Sequence, residues 1–194
     1  LREGQLLDEL RLGGSANDQR RLLLKLYPVA SDRSVPVLRG FLLADDDGPR
    51  VAAIHTLSSV GTEAAVSALA EALDQQTNLG ITFTARELAK LKARSAIPAL
   101  ADCLQRRKDE LGVGAKLWII RALTVMPHRS EVPALAAVLN DSNRRVRRAA
   151  AGALARLDMP EAEAALQDAA RQLSWFRGRP ARRALNRRRE GGAR

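Results

Sequence analysis

The side chains able to do acid–base, nucleophilic or metal chemistry are few. Two histidines, His55 and His128, and one cysteine, Cys103, are the only imidazole and thiol groups in the 194 residues. The histidines stand far apart in the chain, so a shared metal site is not expected. A lone cysteine forms no intrachain disulfide, and no Cys/His cluster has zinc-like spacing, which fits a reducing compartment. No glycine-rich phosphate loop follows a strand-like run, and no Ser-His-Asp or Cys-His arrangement can be assembled. Glu87 and Asp102 are the acids nearest the basic and aromatic positions described below, and helical spacing gives neither a distinctive setting. The chain is therefore read as non-enzymatic, with no cofactor and no metal.

Arginine is what the sequence has in excess. Lysine and arginine total 32 against 22 acids, a formal charge of +10, and the excess is uneven. Residues 1–139 hold 18 cations and 16 acids, whereas residues 140–194 hold 14 arginines and 6 acids. No lysine follows Lys116. Arginine grips carboxylate and phosphate bidentately, so the charge points to an acidic partner: protein, nucleic acid or an anionic surface. A composition of 46% apolar and 3% aromatic residues describes a soluble, Leu/Ala-rich chain. No apolar run approaches the roughly 20 residues that cross a bilayer. The expected location is cytoplasmic; because the sequence starts at Leu1 rather than Met, an upstream signal or anchor stays open.

The elements that must position these arginines are set by a repeat. Leu7, Leu38, Leu69, Leu100, Leu135 and Leu166 are separated by 31, 31, 31, 35 and 31 residues. Leu26, Leu57, Leu88, Leu123, Leu154 and Leu185 follow the same five intervals. Apolar residues three before and four after the first ladder, such as Val35 and Leu42 or Ile97 and Leu104, mark one buried helix face, helix A. Pro36, Pro98 and Pro133 open such helices, where a missing amide costs little. Residues four before and three after the second ladder, such as Ile119 and Met126, mark helix B. Turns fall between the two at Asp45–Pro49 and at Asn140–Asn143. The unit is a helical hairpin, repeated six times.

On each helix B, the positions six and two before the ladder leucine and two after it share a face. In repeats three to six that face carries Arg86, Lys90, Arg121, Arg148, Arg156, Arg179, Arg183 and Arg187. In repeats one and two it is apolar or neutral apart from Arg20. Phe83 and Trp118 hold the same offset in adjacent repeats and are flanked by Arg86 and Arg121. The expected partner-contact set is thus Arg86, Lys90, Arg121, Arg148, Arg156, Arg183, Arg187, Phe83 and Trp118. Trp175 and Phe176 are expected to pack beneath the last repeat, Cys103 to be inert core, and the arginine-rich run from Arg177 to be either a frayed end or a nucleic-acid arm.

The stretch Glu131–Leu157, with Val132-Pro133 opening helix A, Asp141 in the turn, and Val146-Arg147 followed by Ala150 and Leu154, resembles the HEAT repeat. The likeness is to the short bacterial form also found in phycobilisome lyase-like proteins. Arg50 and Lys116 take the place of Arg147 in their own repeats, while Ile81 and Gly178 depart from it. A ladder of Asp and Arg contacts between neighbouring turns is expected to break at those two. The resemblance implies an all-α fold, an α-α superhelix of six hairpins stacked in a right-handed curved rod. It implies one domain, 1–191, with repeats near 1–33, 34–64, 65–95, 96–130, 131–161 and 162–191 and a basic cap and tail within 176–194. Di-iron enzymes of this fold use His-Glu pairs, and no His-Glu dipeptide occurs here. DNA glycosylases of this fold use a basic wall with a catalytic carboxylate, of which only the wall is evident. A protein-interaction scaffold holding an acidic or amphipathic segment along the B-helix wall is the leading expectation. Phosphate-backbone binding through the C-terminal arginines is the alternative. The resemblance alone adds a third reading, an accessory subunit of a chromophore lyase.

Overall fold

The computed structural model describes residues 2–191, so the last three residues of the expected tail lie outside the described part. Two compact units make up the chain, residues 1–96 and 97–194. Each contains three helical hairpins.

The first unit contains α1 (Arg2–Arg11), α2 (Ala16–Leu26), α3 (Val35–Phe41), α4 (Asp47–Val60), α5 (Glu63–Ala72) and α6 (Asn78–Leu91). The second contains α7 (Ile97–Arg106), α8 (Val113–Val125), α9 (Val132–Ala137), α10 (Arg144–Leu154), α11 (Pro160–Gln172) and α12 (Trp175–Gly191). Odd-numbered helices are the A type and even-numbered ones the B type. No strand occurs among the described residues. Within the first unit α2, α4 and α6 pack in sequence as one layer, and α1, α3 and α5 as the other. Within the second, α8, α10 and α12 form one layer and α7, α9 and α11 the other. The fold is all-α, built from stacked helical hairpins.

The two leucine ladders are what hold the layers together. Eleven of the twelve are buried, and Leu185, in the last helix, is half-buried. Burying a leucine side chain contributes about 2 kcal/mol, so a repeat that lost its pair would not hold its hairpin. The prolines sit where the missing amide is harmless: Pro36 and Pro133 fall in the first turns of α3 and α9. The aspartate and asparagine turns cap α4 and α10. Asp46 accepts from the Gly48 amide at 2.7 Å, and Asn143 from the Arg145 amide at 2.8 Å. Gly61 ends α4 with φ +67°, a left-handed conformation that glycine adopts without strain, and its amide donates to the Leu57 carbonyl at 3.1 Å. Cys103 is buried on α7.

A cation one turn into each regular B helix ties the turns together. Arg50 is buried; its Nε donates to the Ala44 carbonyl at 3.0 Å and its Nη2 to the Asp45 carbonyl at 3.0 Å. Its Nη1 pairs with Asp47 and reaches Thr77 Oγ1, the cap of α6, at 2.8 Å. Lys116 reaches Asp141 Oδ2 of the following turn at 2.5 Å, and Arg147 donates to the Asp141 and Ser142 carbonyls at 2.7 and 2.9 Å. The chain departs from this at the two expected places, with a compensation at each. At α6 the buried Thr84, with the buried Gln76 of the preceding turn, substitutes for the charge, Gln76 Nε2 donating to the Leu42 carbonyl at 3.4 Å and Thr84 to Gln76 Oε1 at 2.9 Å. In α12 the arginine is displaced one helical turn. Arg182 folds back over Gly178 to donate to the Ser174 and Trp175 carbonyls at 3.2 and 2.8 Å and to Ala170. A Cβ at Gly178 would lie 2.9 Å from Arg182 Nη2, so the guanidinium occupies the space that a side chain there would take.

Two expectations about the C-terminus are corrected. The arginine-rich run is neither a frayed end nor a loose arm: residues 175–191 form a helix that packs on α10 and α11. Trp175 and Phe176 do not pack beneath the last repeat; they are 70% and 78% exposed. They open α12 on its solvent side, where only Arg182 lies over the Trp175 ring, 5.2 Å from its centre.

Candidate anion-binding groove

The charge separates with the units. Residues 1–96 carry 12 cations and 12 acids, and residues 97–194 carry 20 cations and 10 acids, so the second unit holds the whole net charge.

In the second unit, α8, α10 and α12 frame a groove in two adjoining lobes. The larger, about 930 Å³, has Arg121, Arg145, Arg148, Arg156, Arg187 and Arg188 around a floor that includes Leu117, Ile120, Val125, Ala149 and Ala153. The smaller, about 410 Å³, is walled by Arg144, Arg148, Arg179, Arg183 and Arg187, with Phe176 and Pro180 at its edge. Helical spacing explains the convergence. Arg144, Arg148, Gly152 and Arg156 fall at every fourth residue from α10 onward, and Arg179, Arg183 and Arg187 do the same on α12. Gly152 belongs to both lobes, and a Cβ built on it would meet nothing within 4 Å, so the floor there is open.

No carboxylate among the described residues lines either lobe. Among the described residues, Arg121, Arg144, Arg145, Arg148, Arg156, Arg179, Arg183 and Arg187 form no ion pair, although Arg121 lies 5.5 Å over the centre of the Trp118 ring. Arg188 differs: it donates to the Leu157 carbonyl at 2.6 Å and lies 3.4 Å from Asp158. The one hydroxyl in the lining, Thr124, already donates to the Ile120 carbonyl at 2.6 Å. With no histidine, thiol or carboxylate among the described residues of its walls, the groove is chemically equipped to hold an anion with apolar surface beside it.

Of the nine residues expected to contact a partner, Trp118, Arg121, Arg148, Arg156, Arg183 and Arg187 line this groove or its smaller lobe. Sequence reasoning missed Arg144, Arg145 and Phe176, which lie off the three offsets considered. Phe83, Arg86 and Lys90 lie in the first unit, and there the positive charge is already answered. Glu87, 5% exposed, takes Arg86 Nε at 3.1 Å, Lys90 Nζ at 2.9 and 3.1 Å, Ser58 Oγ at 3.1 Å and His55 Nδ1 at 3.3 Å. Burial pushes the Glu87 carboxyl up, but Lys90, Arg86 and His55 outweigh it and hold it below the usual value. His55 is lowered, chiefly by burial. Its Nε2 lies 3.3 Å from Arg86 Nη2, which suits a neutral ring that gives Nδ1–H to Glu87 and accepts from Arg86. Arg86 covers Phe83 at 4.5 Å, and the His55 ring meets that of Phe83 edge-on at 5.6 Å. Glu87 thus has the distinctive setting that helical spacing did not give it, supplied by Arg86 and Lys90 of its own helix together with His55 and Ser58 one repeat away.

Residues 113–186, which contain α8, α10 and most of α12, match the family model described as HEAT repeats. These residues are similar to HEAT repeats. Among solved structures, one chain in "The structure of the complex of CpcE and CpcF of phycocyanin lyase from Nostoc sp. PCC7120" superposes with a TM-score of 0.58 at 21% identity, over 92% of this chain and 74% of that one. The likeness is one of fold. No curated protein sequence matches. Apart from Arg187 and Arg188, the residues lining the groove fall within the matched segment, on its B-helix layer. No helix among the described residues is long and apolar enough to cross a membrane.

Proposed function

We propose that this chain is a non-catalytic binding module whose groove between α8, α10 and α12 holds an acidic, amphipathic segment of a partner protein. The observation that carries this reading is the set of eight arginines without ion pairs around an apolar floor. Guanidinium groups left uncompensated on a folded surface repel one another, and an incoming carboxylate relieves that repulsion while gaining charge-assisted hydrogen bonds. Trp118, half-buried beneath Arg121, supplies the kind of aromatic area that anchors protein interfaces. HEAT repeats support a scaffold role, and the structural neighbour is itself part of a two-chain complex.

Titration calorimetry with a synthetic helical peptide of about 15 residues, Glu along one edge and Leu along the other, tests the reading. Replacing Arg121, Arg148 and Arg156 together by Glu is expected to weaken binding about 100-fold, since each reversal turns an attraction into a repulsion. These side chains are exposed, so the fold should survive. Gly152→Leu, which fills the open floor and leaves every charge in place, is expected to weaken binding about tenfold. Equal affinity for all three proteins removes the proposal. Preference for a DNA duplex over the peptide, with affinity falling steeply between two salt concentrations, assigns the groove to nucleic acid instead.

A further inference from the structure

The smaller lobe is more highly charged than a carboxylate needs. Five guanidinium-bearing side chains surround about 410 Å³, less than half the volume that six share in the larger lobe. On α12 the three arginines are spaced by four residues, about 6 Å apart along the axis, and they face Arg144 and Arg148 on α10. A single carboxylate has one charge and two oxygens, and five converging cations leave most of their repulsion unrelieved by it. A phosphomonoester brings close to two charges and three acceptor oxygens, enough to engage several guanidinium forks at once. All five positions are arginine, the residue whose planar fork matches phosphate oxygens.

Two further features suit a phosphate carried on a polypeptide. Phe176, 78% exposed, stands at the edge of this lobe with Pro180, an apolar shelf beside the charge for the side chain that neighbours the phosphate. Gly152 leaves the passage from the larger lobe free, so one continuous segment can lie across the apolar floor and end in the smaller lobe. We infer that the smaller lobe between α10 and α12 is a phosphoserine or phosphothreonine pocket, and that the acidic partner segment is bound in its phosphorylated form. The inference rests on the proposed function and deepens it.

Its test uses the full chain and three versions of the same peptide, carrying Ser, Glu or phosphoserine near one end; a second set carries the substitution near the other end to cover both directions of binding. The phosphoserine peptide is expected to bind at least tenfold more tightly than the Glu peptide. In a protein carrying Arg144→Gln and Arg179→Gln, which lie outside the larger lobe, that ratio should fall below about twofold. Equal affinity of the Glu and phosphoserine peptides for the unmodified protein overturns the inference and leaves the proposed function standing. Failure of every peptide to bind overturns the proposed function itself. Tighter binding of a ten-nucleotide RNA than of the phosphopeptide, lost in the same double variant, overturns the peptide assignment in favour of nucleic acid.

Discussion

Replacing Glu131 by Ala is expected to raise the stability of the second unit by about 2 kcal/mol at pH 8 and to lower it slightly at pH 4. Glu131 is fully buried, at the end of the short 3-10 turn that precedes α9, and neither carboxylate oxygen has a well-formed hydrogen bond, the His128 backbone offsetting only a minor part of the cost of burial. Burial pushes its pKa from 4.5 to about 7. A carboxyl raised in the folded state costs nothing below pH 4.5, where both states are protonated. The cost grows between pH 4.5 and 7 and is complete above 7, where it amounts to about 3 kcal/mol. Alanine removes it but also removes a buried methylene, at a cost of about 1 kcal/mol. The two effects have opposite signs and different pH dependence, so the variant should cross the parent protein on the acid side of neutrality. The expected gain at pH 8 is a rise in Tm on the order of 10 °C for a unit of this size. Both tryptophans, Trp118 and Trp175, belong to the second unit, so tryptophan fluorescence reports its unfolding separately. A variant less stable than the parent by the same amount at pH 8 and pH 4 would show that the carboxylate is compensated after all.

The repeat explains why this carboxylate is stranded. Glu3 occupies the same offset, four before the first-ladder leucine, and there the Oε1 atom accepts from the Ser31 amide at 2.9 Å, Ser31 Oγ at 2.8 Å and Ser34 Oγ at 2.6 Å. The Ser34 and Ser31 hydroxyls hold the Glu3 carboxyl below its ordinary value. The positions that correspond to those serines one repeat beyond Glu131 are Met159 and Ala162, and neither side chain can donate. The same residue at the same place in the fold is stabilised in one repeat and destabilised in another.

Arg50→Met is expected to destabilise the first unit by about 3 kcal/mol. The arginine serves both its own turn and the cap of the next helix through Thr77, so its loss strips hydrogen bonds from two repeats. Arg147→Met should cost roughly half as much, because Arg147 donates only within its own turn and its buried Nε has no partner. Urea denaturation followed by circular dichroism reports both changes. Equal costs for the two would mean that the contact to the next repeat adds nothing.

The hairpins were legible in the sequence because a helix buries one stripe and a repeat buries it again at a fixed interval. Val35, Val66, Ile97 and Val132 stand at one offset of the A helices, and all four are buried. Much of the arginine stripe was legible for the same reason, since 148 and 156 or 179, 183 and 187 fall on single faces, whereas Arg144 lies one turn before the offsets that the repeat picks out. Contacts that exchange one partner for another across a repeat were not legible. Ser58 and His55 meet Glu87 from about thirty residues away, and nothing in apolar periodicity announces them. Arg182 takes over a role by moving one turn along its helix, which only the bare Cα of Gly178 reveals. Glu131 escaped notice because a periodic pattern records where apolar residues recur and is silent on a polar one placed among them.

Confining the entire charge excess to residues 97–194 has a consequence for how the molecule would meet the anionic partner proposed above. At low ionic strength a diffusing polyanion is steered toward that half before any short-range contact forms, so productive collisions begin near the groove. Added salt should therefore slow capture much more than it hastens escape, and stopped-flow traces at several ionic strengths would separate the two rates.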